Sequence, residues 1–141
     1  MTVTANVIAS HPPVIMDANY VERLRGLAMA AMEHTPEVGD RLLQEIERAR
    51  VLPSAEMPAD IVNIGSEVTF RDDMAGRVQT IILVLPKYAD ISERRVSVVT
   101  PIGAALIGLK EGASIDWLTR EGKTRRLTVV TVTPARHLPQ D

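Results

Sequence analysis

Carboxylates are the first residues in this chain whose types and spacing could do chemistry, and two groups stand close enough to act together. Glu33, Glu37 and Asp40 gather around His34-Thr35-Pro36, where a helical pattern is interrupted. Glu37 and Asp40 are three apart and so neighbour each other on a helix. Such a tip could recruit a divalent cation, but it offers no further ligands. An acidic residue in a first helical turn is already explained by the helix dipole. Asp72-Asp73 precedes Met74-Ala75-Gly76. Adjacent aspartates there suit a hairpin turn, because Asp tolerates turn dihedrals and hydrogen-bonds its own backbone. Asp116 and Glu121 have no His, Ser or Lys partner at a telling spacing, and His11, His34 and His137 share no metal-binding spacing. Gly103, Gly108 and Gly112 lack the strand, glycine-rich turn and lysine of a phosphate loop, so helix packing and termination account for them. The residues taken alone point to no catalytic, metal or cofactor site.

Composition narrows the field further. The 141 residues carry 16 Lys+Arg against 18 Asp+Glu, a net charge of −2, and no cysteine. That length suits one domain, or a small domain with an appendage. Without cysteine there are no disulfides, thiolate zinc sites, iron–sulfur clusters or thiol nucleophiles. The charge argues against a protein whose main work is gripping phosphates. The four aromatics, Tyr20, Phe70, Tyr88 and Trp117, are few for base stacking. The longest apolar stretches, 81–85 and 102–109, fall far short of the roughly 20 residues of a membrane span. Residues 1–16 contain no Lys or Arg, so the basic start of a secretory signal is missing and the cytoplasm is the expected location.

The elements that must position these residues divide into two halves with different periods. Residues 1–16, with His11-Pro12-Pro13, are expected to form a loosely held, flexible arm. Residues 17–52 predict a short antiparallel helical hairpin. Asp17 suits an N-cap, and Tyr20, Val21, Leu24, Leu27, Ala28, Ala31 and Met32 recur at three and four. Thr35-Pro36 opens a second stripe through Val38, Leu42, Ile46 and Ala49. The first helix would be only about 25 Å long. Its stripes could pair between chains as readily as within one, which leaves the oligomeric state open. Residues 51–61 read as a connector, with 56–64 extended over the surface. From Ile64 the period becomes two. Strands are expected at 67–71, 77–85, 94–99, 114–118 and 125–132, with a short helix at 102–109 opened by Thr100-Pro101. Consecutive hairpins favour an antiparallel sheet. The expected class is α+β.

One segment is more specific than the rest. Val96-Ser97-Val98-Val99-Thr100-Pro101-Ile102-Gly103-Ala104-Ala105-Leu106-Ile107-Gly108 resembles the strand–Ser-Pro-Ile–helix element in the C-terminal domain of the GreA/GreB transcript-cleavage factors. Ile64-Gly65-Ser66-Glu67-Val68, Lys110–Trp117 and Leu127–Val132 are similar to flanking parts of that domain. The resemblance implies that residues 53–141 form a GreA/GreB C-terminal-like, FKBP-like domain. It also implies RNA polymerase as the protein partner, with DNA reached only indirectly through it. Carried over by position, the partner-binding residues are Val99, Thr100, Pro101 and Ile102. Thr100 keeps the hydroxyl of the family's Ser, whereas Val99 replaces a residue that is usually polar. Gre factors carry a long coiled coil whose acidic tip holds magnesium in the polymerase secondary channel. Here the hairpin is too short, and together with Met57-Pro58 and Ile61-Val62 this resembles the Rnk branch of the family, which binds polymerase without cleavage. No enzymatic activity of its own is then expected. Two alternatives stay open: a cleavage factor with a reduced tip, and a peptidyl-prolyl isomerase, against which the scarcity of aromatics counts.

Overall fold

In the computed structural model, which describes residues 12–118 and 122–135, Asp17 has extended dihedrals and its carboxylate accepts from Asn19 N at 2.8 Å. That cap starts α1, Ala18–Ala31, which buries Val21, Leu24, Ala28 and Ala31 at the expected helical spacing. Pro36 opens α2, Pro36–Arg48, which buries Val38, Leu42 and Ile46. Thr35 makes no side-chain cap to α2. Its hydroxyl instead donates back to the Ala31 carbonyl at 3.4 Å. The two helices pack along each other as the expected hairpin.

The N-terminal segment departs from expectation. The described part of the supposed arm is firmly seated, with Val14 and Met16 buried. Ile15–Asp17 forms β1, which pairs in parallel with β2, Arg50–Leu52, where the expected hairpin runs into the connector. Ile15 N donates to the Gly108 carbonyl at 3.0 Å. Gly108 has φ +84, and a side chain there would strike Val14, so only glycine lets this strand dock. Strands of three residues are too short for alternation to register, and their partner lies far away in sequence. The connector is exposed over most of residues 53–60, as expected, but its end turns inward. Ile61, Val62 and Ile64 are buried, and Val62 exchanges backbone bonds with Gly108 and Leu109 at 2.9 Å each.

The sheet has five strands in the order β5-β4-β3-β7-β6. They are β3 Glu67–Asp72, β4 Arg77–Val84, β5 Arg95–Ser97, β6 Ser114–Leu118 and β7 Thr124–Thr133. Asp72 makes the β3–β4 turn as expected, its Oδ1 accepting from Met74 N and Ala75 N. The sheet is mixed rather than wholly antiparallel, because β5 pairs in parallel with β4. Residues 85–94 make this possible. They form two short 3₁₀ turns, Pro86–Tyr88 and Ile91–Glu93, and carry the chain back far enough to run in the same direction. Helix α3, Pro101–Leu106, buries Gly103, Ala104, Ala105 and Leu106.

One apolar core joins the two halves. Leu24, Ala28, Leu42 and Ile46 from the hairpin belong to the same buried cluster as Val68, Leu83, Leu106, Ile115 and Val129. The hairpin stripes are therefore covered within a single chain, and the hairpin is not a separate coiled-coil unit. Among the described residues no helix is long and apolar enough to cross a membrane.

Candidate functional site

The turn between β5 and α3 is built by two hydroxyls. Ser97 Oγ accepts from Val99 N at 2.9 Å. Thr100 Oγ1 donates to the Ser97 carbonyl at 2.7 Å and accepts from Gly103 N at 3.0 Å. Thr100 is thus a true N-cap, and Pro101 fills the first helical position where no donor is needed. A side chain at Gly103 would collide with the Ser97 carbonyl, which lets the helix close tightly on the strand. Buried Val98 anchors the turn, and Val99, Thr100, Pro101 and Ile102 stand half-exposed in a row.

Glu33, Glu37 and Asp40 are all exposed. The fold does not gather them, and among the described residues no cluster of three or more His, Asp or Glu side chains could hold a metal ion. Asp40 accepts from Gln44 Nε2 at 2.8 Å along its own helix. Glu37 instead lines a small cleft with Val38, Arg41, Pro101 and Ala104. The start of α2 therefore lies beside the start of α3, and the hairpin bend flanks the half-exposed turn. Arg41 fastens this arrangement: Nη2 donates to the Asp116 carbonyl at 3.0 Å and Nε to Glu45 at 3.1 Å. His34 is exposed, while His11 and His137 lie outside the described residues. Asp90 is exposed in the turn before β5, and hydrogen bonds from Ser92 hold its pKa below the ordinary carboxylate value. It is a turn residue that stays ionised, unsuited to proton transfer near neutrality.

Behind Ile102 lies a feature that the sequence reading missed. Phe70, Ile81, Val96, Ile102, Trp117 and Leu127 line a concavity of about 250 Å³ with Asp72 and Gln79. Two of the four aromatics meet there, so their scarcity is no argument against an apolar pocket. The signal was the shared parity of Phe70, Ile81, Leu127 and Trp117 on four strands, which becomes visible only once the register is known.

Comparison with known proteins agrees with this geometry. A family model described as "Transcription elongation factor, GreA/GreB, C-term" matches residues 57–134, and one described as "Rnk N-terminus" matches residues 12–52. The chain belongs to the GreA/GreB family, in its Rnk branch. The Regulator of nucleoside diphosphate kinase of Escherichia coli K12 is 35% identical over 86% of this chain and 89% of its own. Transcription elongation factor GreA of Azorhizobium caulinodans is 33% identical over 64% of this chain but only 57% of its own length. Among solved structures, a prokaryotic transcription elongation factor GreA/GreB from Nitrosomonas europaea superposes with a TM-score of 0.68 at 33% identity. It is covered over 98% of its length, against 86% of this chain. The two family models meet between residues 52 and 57, and the core packs across that junction.

Proposed function

We propose that this GreA/GreB-family chain binds RNA polymerase near its secondary channel and modulates transcription without stimulating transcript cleavage. On this reading Val99, Thr100, Pro101 and Ile102 of an FKBP-like C-terminal domain make the contact. The observation that carries it is the seating of the hairpin. At 14 residues, α1 is about 21 Å long, and α2 packs on α3 instead of projecting from the domain. A cleavage factor has to carry its carboxylates deep into the enzyme, whereas here Glu37 opens onto Pro101. The chain then acts as a cytoplasmic interaction protein, with no cofactor and no chemistry of its own, and meets DNA only through the polymerase.

The test pairs equilibrium binding to bacterial core polymerase with an assay of stalled elongation complexes. Saturable binding at micromolar or lower concentration is expected, with displacement of a Gre factor and no added release of short 3′ RNA fragments. Absence of binding at micromolar protein would remove the proposal. So would fragment release that the Glu37→Ala, Asp40→Ala double variant abolishes, because the tip would then be working as a cleavage tip.

A further inference from the structure

The segment between β4 and β5 carries two features that complement each other but do not meet within one chain. The first is a cleft. Arg23 and Leu27 on α1, with Leu85, Pro86 and Lys87, line a concavity of about 460 Å³ in which both charged side chains are cations. Lys87 Nζ lies 5.2 Å from the Tyr88 ring centroid and has no ion pair among the described residues. The second is a knob. Ile91 is 82% exposed, more than any other large apolar side chain among the described residues. Its turn is firmly clamped. Asp90 Oδ1 accepts from Ser92 N at 3.1 Å and from Ser92 Oγ at 2.7 Å. Asp90 and Arg95 exchange backbone bonds at 2.9 Å each, and Arg94 closes the turn in the left-handed region, with φ 60. A residue with a Cβ holds that conformation only where its surroundings enforce it. Asp90 and Glu93, on either side of Ile91, form no ion pair among the described residues.

We propose that two copies of this chain form a two-fold dimer in which Ile91 of each enters the cleft of the other, with Glu93 set against Lys87 and Asp90 against Arg23. Charge decides the occupant. A cleft of Leu27, Leu85 and Pro86 edged by two cations fits an apolar side chain carried between carboxylates. Asp90-Ile91-Ser92-Glu93 is such a segment. Ile91 does not fill its own cleft, because the clamped turn holds it out in solvent. Knob and cleft are nonetheless close, since Lys87 and Ile91 are four residues apart and at most about 14 Å of chain separates them. A two-fold axis passing between them sets each feature against its counterpart, so the contact closes on itself. The apolar stripes of the hairpin are covered within one chain, and this pairing needs none of them. The contact is small, which makes it a weak and reversible dimer. The inference stands apart from the polymerase reading.

The experiment is sedimentation equilibrium of the full chain, with thermal melts of every variant at low concentration alongside. The unaltered chain should dimerise with a dissociation constant of about 0.1 mM or tighter, and added salt should weaken the dimer. Ile91→Ser should weaken it about ten-fold or more, because two isoleucine side chains lose their burial, while the melting temperature holds. Lys87→Glu and Glu93→Lys should each weaken it about five-fold by bringing like charges together. The variant carrying both restores opposite charges and should recover the original association. Val78→Ser, at an exposed position on β4 away from both features, should leave the dimer unchanged. A chain that stays monomeric up to about 1 mM overturns the inference. A dimer that survives Ile91→Ser uses another surface and also overturns it. So does a double charge variant no stronger than the single ones. The polymerase reading is unaffected by any of these outcomes.

Discussion

Asp17 accepts a hydrogen bond from Asn63 Nδ2 at 2.9 Å, joining the hairpin to the sheet domain across 46 positions of sequence. The same oxygen accepts from Ser54 Oγ at 2.7 Å, and the other carboxylate oxygen caps α1. One buried side chain thus starts a helix, holds the connector and fixes the entry to the sheet domain. Asp17→Ala should lower stability by about 2–4 kcal/mol, combining a lost cap with two donors left without their partner. Asp17→Asn keeps an acceptor for the cap but turns an N–H₂ toward other donors, so an intermediate loss of about 1–2 kcal/mol is expected. Urea denaturation with unchanged slope is the check. A loss below about 0.5 kcal/mol for Asp17→Ala would mean that this joint does not hold the two halves.

The two helical glycines of the hairpin should respond with opposite signs to the same substitution. Gly26 has nothing within 4 Å of the position its Cβ would take, so Gly26→Ala meets no obstacle. It should stabilise by about 0.5–1 kcal/mol through helix propensity. Gly39 faces α1 across the hairpin, and a Cβ there would lie 2.6 Å from the Ala28 carbonyl oxygen and 2.8 Å from Met32 Sδ. The sulfur can move, but the carbonyl belongs to helix backbone. Gly39→Ala should therefore cost about 1–3 kcal/mol by forcing the helices apart. Thermal melts of the two variants decide it, and a stabilised Gly39→Ala would show that the helices are free to separate.

Long periodic elements were legible in the sequence because each carries its own signal. Val21, Leu24 and Ala28 mark a helical face, and the strand at Ser114–Leu118 falls where alternation and its flanking turns put it. Thr100-Pro101 read correctly as a helix start because capping is local chemistry. What escaped depends on residues far apart in the chain. The pairing of Ile15 with Arg50, the parallel run of β5 and the meeting of Phe70 with Trp117 need a register that no local pattern carries. The hairpin's seat on α3 escaped for the same reason: a stripe shows that a face is apolar but not what covers it.

Thr100 separates a structural role from a contact role at the half-exposed turn. Thr100→Ser retains both hydrogen bonds, to the Ser97 carbonyl and from Gly103 N, and should hold stability within about 0.5 kcal/mol. Thr100→Val has nearly the same shape but loses both, leaving the start of α3 without its cap. A loss of about 1–2 kcal/mol is expected. Polymerase affinity should follow the same order, because Val99, Pro101 and Ile102 are presented by that cap. Equal melting temperatures for the Ser and Val forms would show that the hydroxyl does not hold the turn.

Glu45 holds the hairpin's inner surface in register with the sheet. Its carboxylate is buried, with Oε2 3.1 Å from Arg41 Nε and Oε1 2.8 Å from Arg48 Nη2. Arg41 in turn reaches the Asp116 carbonyl on β6. Glu45→Ala removes the acceptor from two partly buried guanidinium groups, which should cost about 1–3 kcal/mol. Because Arg41 is aligned by Glu45 before it meets β6, Arg41→Met and Glu45→Gln should not be additive. A double-mutant cycle should give a coupling of about 1 kcal/mol. Screening by salt should be weak, since the carboxylate side chain is only 5% exposed. Urea melts of the four forms at low and high salt provide the measurement. Additive losses would place Arg41's bond to Asp116 outside the influence of Glu45. A coupling that vanishes in salt would mean that water, and not the fold, surrounds the pair.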